Sequence, residues 1–428
     1  MPELTQPARS FRPGPLTGTI VVPGDKSISH RALIAAAASP APIEIRGLNP
    51  GRDVRATLEA LVALGARVDG DGSALRVHGG RLREPMGELD CMNSGSTARM
   101  LLGVCAGADL RARFDGDASL RKRPMEPVAA QLRALGAKIE TTDGMLPLSI
   151  AGTPQIETTR FILITPSAQI KSALLFAGLF SQTPVTITGD KGSRDHTERL
   201  LQYLGADVTW DERDIALRGG ITKTSAIDVA GDFSSAAFFI VAASISPGSE
   251  LRIKNVGVNP RRTGLLAALV AMGADITVQD EREQSGEPVA TIVVRHAPLT
   301  GMTIDADLAL RAIDEIPLLA VAAAFASGHT KITGIRELRT KESDRVAAIE
   351  RLLGAAGIGV DVAANGLVIQ GGTPKGTGAV VATHDDHRIA MATAVLAAGA
   401  GPLGIDSDAS IDVSFPAFLE TLRSVQRG

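Results

Sequence analysis

Aromatic side chains are nearly missing from this 428-residue chain: one tryptophan, one tyrosine and 11 phenylalanines make up 3% of it. So few flat faces leave little on which successive bases could stack, which argues against a single-strand nucleic-acid binder. An excess of one charge is missing too. Lys and Arg number 44 against 47 Asp and Glu, a formal net charge of −3, so the whole-molecule field gives no drive toward nucleic acid or an anionic membrane. The two cysteines, Cys91 and Cys105, cannot build a disulfide framework or a structural zinc site, and they suit a reducing cytoplasm. Apolar stretches such as Leu318 to Ala326 fall well short of the ~18 residues that suggest a membrane span, and they read as buried helices. Met1 to Gly14 is polar and proline-rich, without the basic and apolar regions of a secretory signal. These absences predict a cytoplasmic protein of two to four domains, at roughly 100–200 residues per domain, with neither nucleic acid nor membrane as partner.

Glycine, at 45 residues, is the composition's unusual presence. Part of it follows a repeat. A helix-ending Leu-Gly-Ala or close variant precedes a short strand at Gly65, Gly136, Gly205, Gly273 and Gly357, with spacings of 71, 69, 68 and 84 residues. Each glycine follows an amphipathic run, such as 54–64 or 128–135, and fits a left-handed cap. A sixth helix is FLETLRSV at the C-terminus. Out of phase with these caps run six copies of a β-rich segment, a polar turn and a helix of small apolar residues. The first reads GTIVVPGDKSISHRALIAAAA and the last AVVATHDDHRIAMATAVLAA. Each is followed by a further strand candidate, so the repeat is strand–helix–strand–helix–strand–strand over about 71 residues. That period is too long for a solenoid and predicts small α/β subunits clustered into domains.

Polar and charged side chains gather at the turn between the first strand and the first helix of the repeats. Unpaired N–H groups at a helix N-terminus carry partial positive charge, so each turn is a potential anion site. The first turn holds Lys26, Ser27 and, one helical turn on, Arg31; read in isolation, Ser27 as an N-cap and a solvated Lys26/Arg31 pair are its default explanation. Asn93-Ser94-Gly95-Ser96-Thr97 is a cluster of capping residues around a glycine that admits close approach of a ligand. Arg121-Lys122-Arg123 lies between a strand and a helix, while Ser167-Ala168-Gln169 and Arg194-Asp195-His196 open later helices. Asp314-Glu315 interrupts an apolar stretch, where carboxylates must be paired, at a cleft, or capping a helix. Lys341 and Arg345 stand at i and i+4 with Glu342 between them, and His384-Asp385-Asp386-His387-Arg388 heads the last small-residue helix. Its two histidines share a helix face poorly and nothing completes a ligand set, so no metal site is expected. The turns thus offer Lys26, Arg31, Arg123, Arg194, Lys341, Arg345 and Arg388 as cations, with Asp314 and Glu342 as acid–base groups. This set suits substrates rich in phosphate and carboxylate. No Walker loop or dinucleotide fingerprint is present, which disfavours phosphoryl transfer from ATP and hydride transfer from a nicotinamide.

Nearly the whole chain resembles the 5-enolpyruvylshikimate-3-phosphate synthases (3-phosphoshikimate 1-carboxyvinyltransferases). The motifs run from GDKSISHRALI, CMNSGSTARML, DGDASLRKRPM, SAQIKSALLFAG and GSRDHTERLL to AIDEIPLLAVAAAF, LRTKESDR, HDDHRIAM and VSFPAF. The resemblance implies the enolpyruvyl transferase fold, an inside-out α/β barrel of two globular domains, each of three βαβαββ repeats. Residues 21–230 would form one domain and 1–20 with 231–428 the other, with the active site in the interdomain cleft. The implied reaction moves the carboxyvinyl group of phosphoenolpyruvate to the 5-hydroxyl of shikimate 3-phosphate by addition–elimination, a step of the shikimate pathway toward chorismate and the aromatic amino acids. It implies a monomer, no cofactor, no metal, and closure on binding the first substrate. Matching positions imply that Lys26, Ser27, Arg31, Ser167, Ala168, Gln169, Arg194, Asp314 and Lys341 hold shikimate 3-phosphate. Lys26, Gly95, Arg123, Gln169, Arg345 and Arg388 match the phosphoenolpyruvate positions. Asp314 is the implied base, with Lys26 and Glu342 as proton carriers.

Three positions depart from the resemblance. Met92 stands where many members have glycine, Val413 where some carry a phosphate-contacting lysine, and Ala168 where some have serine. The sister family that transfers to UDP-N-acetylglucosamine normally carries a reactive cysteine in a mobile loop, and 109–123 here contains none.

Overall fold

The computed structural model describes residues 8–72, 74–153, 155–190 and 192–427. The chain divides into two compact units: Gly24–Ala230 with Glu283–Glu287, and Met1–Pro23 with Gly231–Arg282 and Pro288–Gly428. Two details differ from the sequence expectation. The first boundary falls after Pro23 rather than residue 20, and Glu283–Glu287 leaves the otherwise continuous second segment. That short stretch is held by its polar contacts: the His196 ring meets Glu287 at 2.7 Å, and the Asp228 N–H donates to Ser285 Oγ at 2.9 Å.

Helices that are apolar on every side belong at a centre rather than on a surface. Lys26–Ala37, Gly95–Gly107 and Ala168–Ser181 are the small-residue helices of the first unit, and most of their residues are buried. Phe233–Ile245, Ile316–Ala324 and His387–Ala400 play the same part in the second, the first two being buried throughout. Sheets cover them. Met145–Ala151 buries alternate residues, as a strand with one face to a core and one to water must. Five four-stranded sheets and one three-stranded sheet form among the described residues, giving the inside-out α/β architecture. In a typical sheet, Leu89–Asp90 pairs parallel with Arg111–Asp115, which pairs antiparallel with Met145–Ala151, then Lys138–Thr142.

The first repeat is not contiguous. Thr17–Val21 reads from the sequence as its opening strand, yet it pairs parallel with Glu250–Gly257 in the sheet of the fourth repeat. Ile227–Asp228 takes the vacated edge beside Ile43–Arg46.

All five repeat glycines adopt positive φ, from 76° at Gly205 to 119° at Gly136. At Gly136 the cap is fully formed: its N–H donates to Arg133 O at 3.0 Å and that of Ala137 to Leu132 O at 3.1 Å, the Schellman pattern. Other glycines permit close packing. A Cβ on Gly103 would stand 2.0 Å from Ala173 O, and one on Gly107 2.1 Å from Ala177 O. The helices Gly95–Gly107 and Ala168–Ser181 therefore touch backbone to backbone. Gly103→Ala is expected to cost about 1–3 kcal/mol through overpacking. A lowered calorimetric Tm checks this; an unchanged one would show that the helices part freely. The scarce aromatics are concentrated, with Phe238, Phe239, Phe415 and Phe418 packed at centroid distances of 5.6 to 6.1 Å.

Candidate active site

In the unit built on Gly24–Ala230, the turn ahead of the first buried helix is capped by Asp25, which accepts from Ile28 N at 2.9 Å. The capping role expected of Ser27 is thus corrected, because Asp25 already occupies the N-cap position. Lys26 pairs with Asp53 at 2.7 Å. Arg31 is no solvated partner either. It is 3% exposed and donates to Ser27 O at 2.8 Å, Thr197 Oγ1 at 2.7 Å and Ser172 Oγ at 2.9 Å. Its contact with Ala168 O at 3.4 Å completes a link between the first and third repeats. Burial lowers its pKa to about 10, which leaves it charged at neutral pH.

The second turn joins them through buried hydroxyls. His30 Nδ1, Thr57 Oγ1 and Thr97 Oγ1 form a chain with 2.7 Å links. Burial, reinforced by Lys26 and Arg31, holds His30 well below the usual histidine range. Ser94 caps the helix that Gly95 begins. A Cβ on Gly95 would meet Arg99 NH1 at 2.6 Å and lie 3.7 Å from Arg123 NH1, so two guanidiniums stand over this glycine. Arg123 donates to Asn93 Oδ1 at 2.5 Å. Gln169 bonds both sides of the turn, accepting from Arg99 at 2.8 Å and donating to Ser96 Oγ at 2.9 Å. Ser167 caps its helix, accepting from Ile170 N at 3.4 Å. Arg194 is half-buried, directly ahead of the helix His196–Tyr203. In the same unit the fully buried Lys171 lies 2.9 Å from Asp190 and 2.8 Å from Glu198. Burial pushes the Glu198 carboxyl up despite that ammonium.

The other unit brings Asp314, Glu342, Arg345 and Arg388 together. Asp314 Oδ1 lies 3.8 Å from Arg345 and Oδ2 3.8 Å from Arg388, which also donates to Asp314 O at 2.8 Å. Arg345 is buried. It donates to Asp386 Oδ2 at 2.8 Å and Glu342 Oε2 at 2.5 Å. Burial opposes its charge, but Asp386 and Glu342 outweigh burial and raise its pKa above the ordinary guanidinium value. Asp386 experiences the reverse balance: burial raises its pKa, and Arg345 more than offsets this and holds it below the usual aspartate range. Asp386 also caps the last helix by accepting from Arg388 N at 2.9 Å. The helical face expected for Lys341 and Arg345 is corrected, since the helix begins at Arg345. Lys341 lies just after the 3-10 turn Arg336–Thr340 and pairs with Glu337.

Sequence reasoning missed several supports. Asp53 holds Lys26, Thr197 and Ser172 hold Arg31, and Arg99 holds Gln169. Arg99 carried a usable signal, standing three and four residues after Ser96 and Gly95 on one helix. The departures are placed as well. Met92 adopts φ 51°, a conformation that favours glycine, and Val413 ends a 3-10 turn at Ala409–Val413. Cys91 and Cys105 are buried, and burial pushes the Cys105 thiol up to about 12, so neither is a ready nucleophile. Among the described residues, no group of three or more His, Cys, Asp or Glu is placed to hold a metal ion. Nor is any helix among them long and apolar enough to cross a membrane.

The family profile described as EPSP synthase (3-phosphoshikimate 1-carboxyvinyltransferase) matches residues 11–422. A 3-phosphoshikimate 1-carboxyvinyltransferase of Gloeobacter violaceus is 48% identical over 423 residues, covering 96% of this chain and 97% of its own. One from Methylorubrum populi is 45% identical over 433 residues, covering 97% and 96%. The solved EPSP synthase of Acinetobacter baumannii superposes with a TM-score of 0.85 at 38% identity, over 97% of this chain and 98% of that one. Profile, relatives and fold agree, and the chain belongs to the EPSP synthase (3-phosphoshikimate 1-carboxyvinyltransferase) family.

Proposed function

We propose that this chain transfers the carboxyvinyl group of phosphoenolpyruvate to the 5-hydroxyl of shikimate 3-phosphate, releasing phosphate on the way to chorismate. It acts as a cytoplasmic monomer, and its two compact units, which differ from 21–230 and 1–20 with 231–428 only at 21–23 and 283–287, serve as domains that supply residues to one reaction. Family membership supports the reaction. The observation that carries the residue assignment is Asp314, a carboxylate flanked at 3.8 Å by each of two guanidiniums. That arrangement suits a base beside a cationic site for an anionic substrate.

In this reading Lys26, Ser27, Arg31, Ser167, Ala168, Gln169, Arg194, Asp314 and Lys341 hold shikimate 3-phosphate. Lys26, Gly95, Arg123, Gln169, Arg345 and Arg388 hold phosphoenolpyruvate. The 5-hydroxyl oxygen bonds to C2 of phosphoenolpyruvate while its proton passes to Asp314 and a proton is delivered to C3. The C2–O bond to phosphate then breaks, the phosphate leaves, and loss of a proton from the C3 methyl restores the vinyl group. Lys26 and Glu342 carry the C3 proton in and out. The fixed cations stabilise charge as it moves onto the phosphate and need no reorganisation to do so. The chemistry requires no metal or organic cofactor.

Because C3 passes through a methyl group, turnover in deuterium oxide is expected to place deuterium in the vinyl group of the product. Mass spectrometry of the product checks it. A vinyl group free of deuterium would contradict addition–elimination.

A further inference from the structure

Glu315 is fully buried directly beside Asp314, and the mechanism above does not use it. Its carboxylate does not cap the helix that follows. Instead Oε2 accepts from Arg262 at 2.8 Å, and Oε1 accepts from Arg388 at 3.3 Å and from Ser234 Oγ at 2.5 Å. The Ser234 hydroxyl also accepts from Arg262 and, at 3.0 Å, from Arg388. One donated and two accepted bonds saturate it. Arg262 is itself buried, its guanidinium 5.8 Å from the centre of the Phe233 ring and 3.6 Å from Asp232. A carboxylate, a hydroxyl and two guanidiniums thus form a buried network, with Asp232 also beside Arg262.

The charges in that network are unevenly shared. Arg262 makes the shorter contact with Glu315 and Arg388 the longer one. A buried carboxylate paired with Arg388 alone would draw that guanidinium inward and cancel its charge. With Arg262 as counter-ion, Glu315 anchors Arg388 without neutralising it. Arg388 has five N–H donors, and its bonds to Asp314 O, Glu315 and Ser234 leave part of the fork for a ligand.

We propose that Glu315, charge-balanced by Arg262 through the shared Ser234 hydroxyl, is the positioning residue that holds Arg388 for the carboxylate of phosphoenolpyruvate. The inference rests on the assignment of Arg388 made above. Without Glu315, the two guanidiniums repel and Arg388 loses its anchor. Without Arg262, Glu315 takes Arg388 as its only cation. Removing both leaves a neutral pair behind an Arg388 that keeps its charge.

Steady-state kinetics with both substrates on the full chain test this, using Arg388→Gln, Glu315→Gln, Arg262→Gln and the double variant Arg262→Gln/Glu315→Gln. Each single change at 315 or 262 is expected to raise KM for phosphoenolpyruvate about tenfold and KM for shikimate 3-phosphate by less than about twofold. The double variant is expected to fall below both singles. Should Arg262→Gln fail to fold, Arg262→Lys keeps the charge and is expected to raise KM for phosphoenolpyruvate less than Glu315→Gln does. Multiplying single effects in the double variant, or an equal rise for both substrates, would overturn the proposal, as would a larger rise with Arg262→Lys than with Glu315→Gln. An unchanged KM for phosphoenolpyruvate in Arg388→Gln would refute the assignment of Arg388 instead and take the inference with it. A raised value there with parental kinetics in Glu315→Gln would refute the inference alone.

Discussion

Replacing Asp314 by alanine is expected to lower turnover at least ~10²-fold while shikimate 3-phosphate stays bound within about tenfold, ~1.4 kcal/mol. The asymmetry follows from where the carboxylate sits. It faces Arg345 and Arg388 at 3.8 Å each, so its removal takes away a proton acceptor and leaves the cations more positive toward an anionic ligand. Phosphoenolpyruvate should therefore bind no more weakly than before. Asp314→Asn separates the two contributions, since it keeps the shape and hydrogen-bonding capacity but not the basicity. Near-normal turnover in either variant, measured as phosphate release at saturating substrates, would remove Asp314 from the mechanism.

Arg345→Met is expected to destabilise the protein by about 3–5 kcal/mol, the usual cost of leaving a buried charge unpaired. Methionine roughly preserves the length of the stem, so most of the loss is electrostatic. The guanidinium is 1% exposed and contacts Asp386, Glu342 and Asp314. Acid should narrow the gap between variant and parent. In the parent, Asp386 has its pKa lowered by Arg345. It therefore adds stability above the unfolded aspartate value of about 3.9, and that stability is lost as pH falls through the lower folded value. In the variant the same buried carboxyl lacks its counter-ion, and protonation relieves it. Thermal unfolding from neutral pH down to about pH 4 checks this; a gap that widens in acid would contradict it.

The repeat made much of the fold legible, because helix caps and buried helices leave local signatures. Left-handed glycines at 65, 136, 205, 273 and 357 need only their own backbone to explain them. Thr17–Val21 did not disclose its partner, since a strand's pattern says which face is buried but not which sheet receives it. The candidate site divides the same way. Turn residues such as Lys26, Gly95 and Gln169 announce themselves by clustering at helix starts. Their supports do not: Arg262 sits in an Asn-Pro-Arg-Arg-Thr-Gly loop with no local sign of a buried partner, and only folding brings it against Glu315. Likewise Lys341 and Arg345 have helical spacing in sequence, but the chain turns between them before the helix starts.

Phosphate release from phosphoenolpyruvate, measured with the purified full chain and each acceptor in turn, tests the central claim most directly. Release is predicted with shikimate 3-phosphate and not with UDP-N-acetylglucosamine or without acceptor. Equal release with UDP-N-acetylglucosamine, or none with shikimate 3-phosphate, would contradict it.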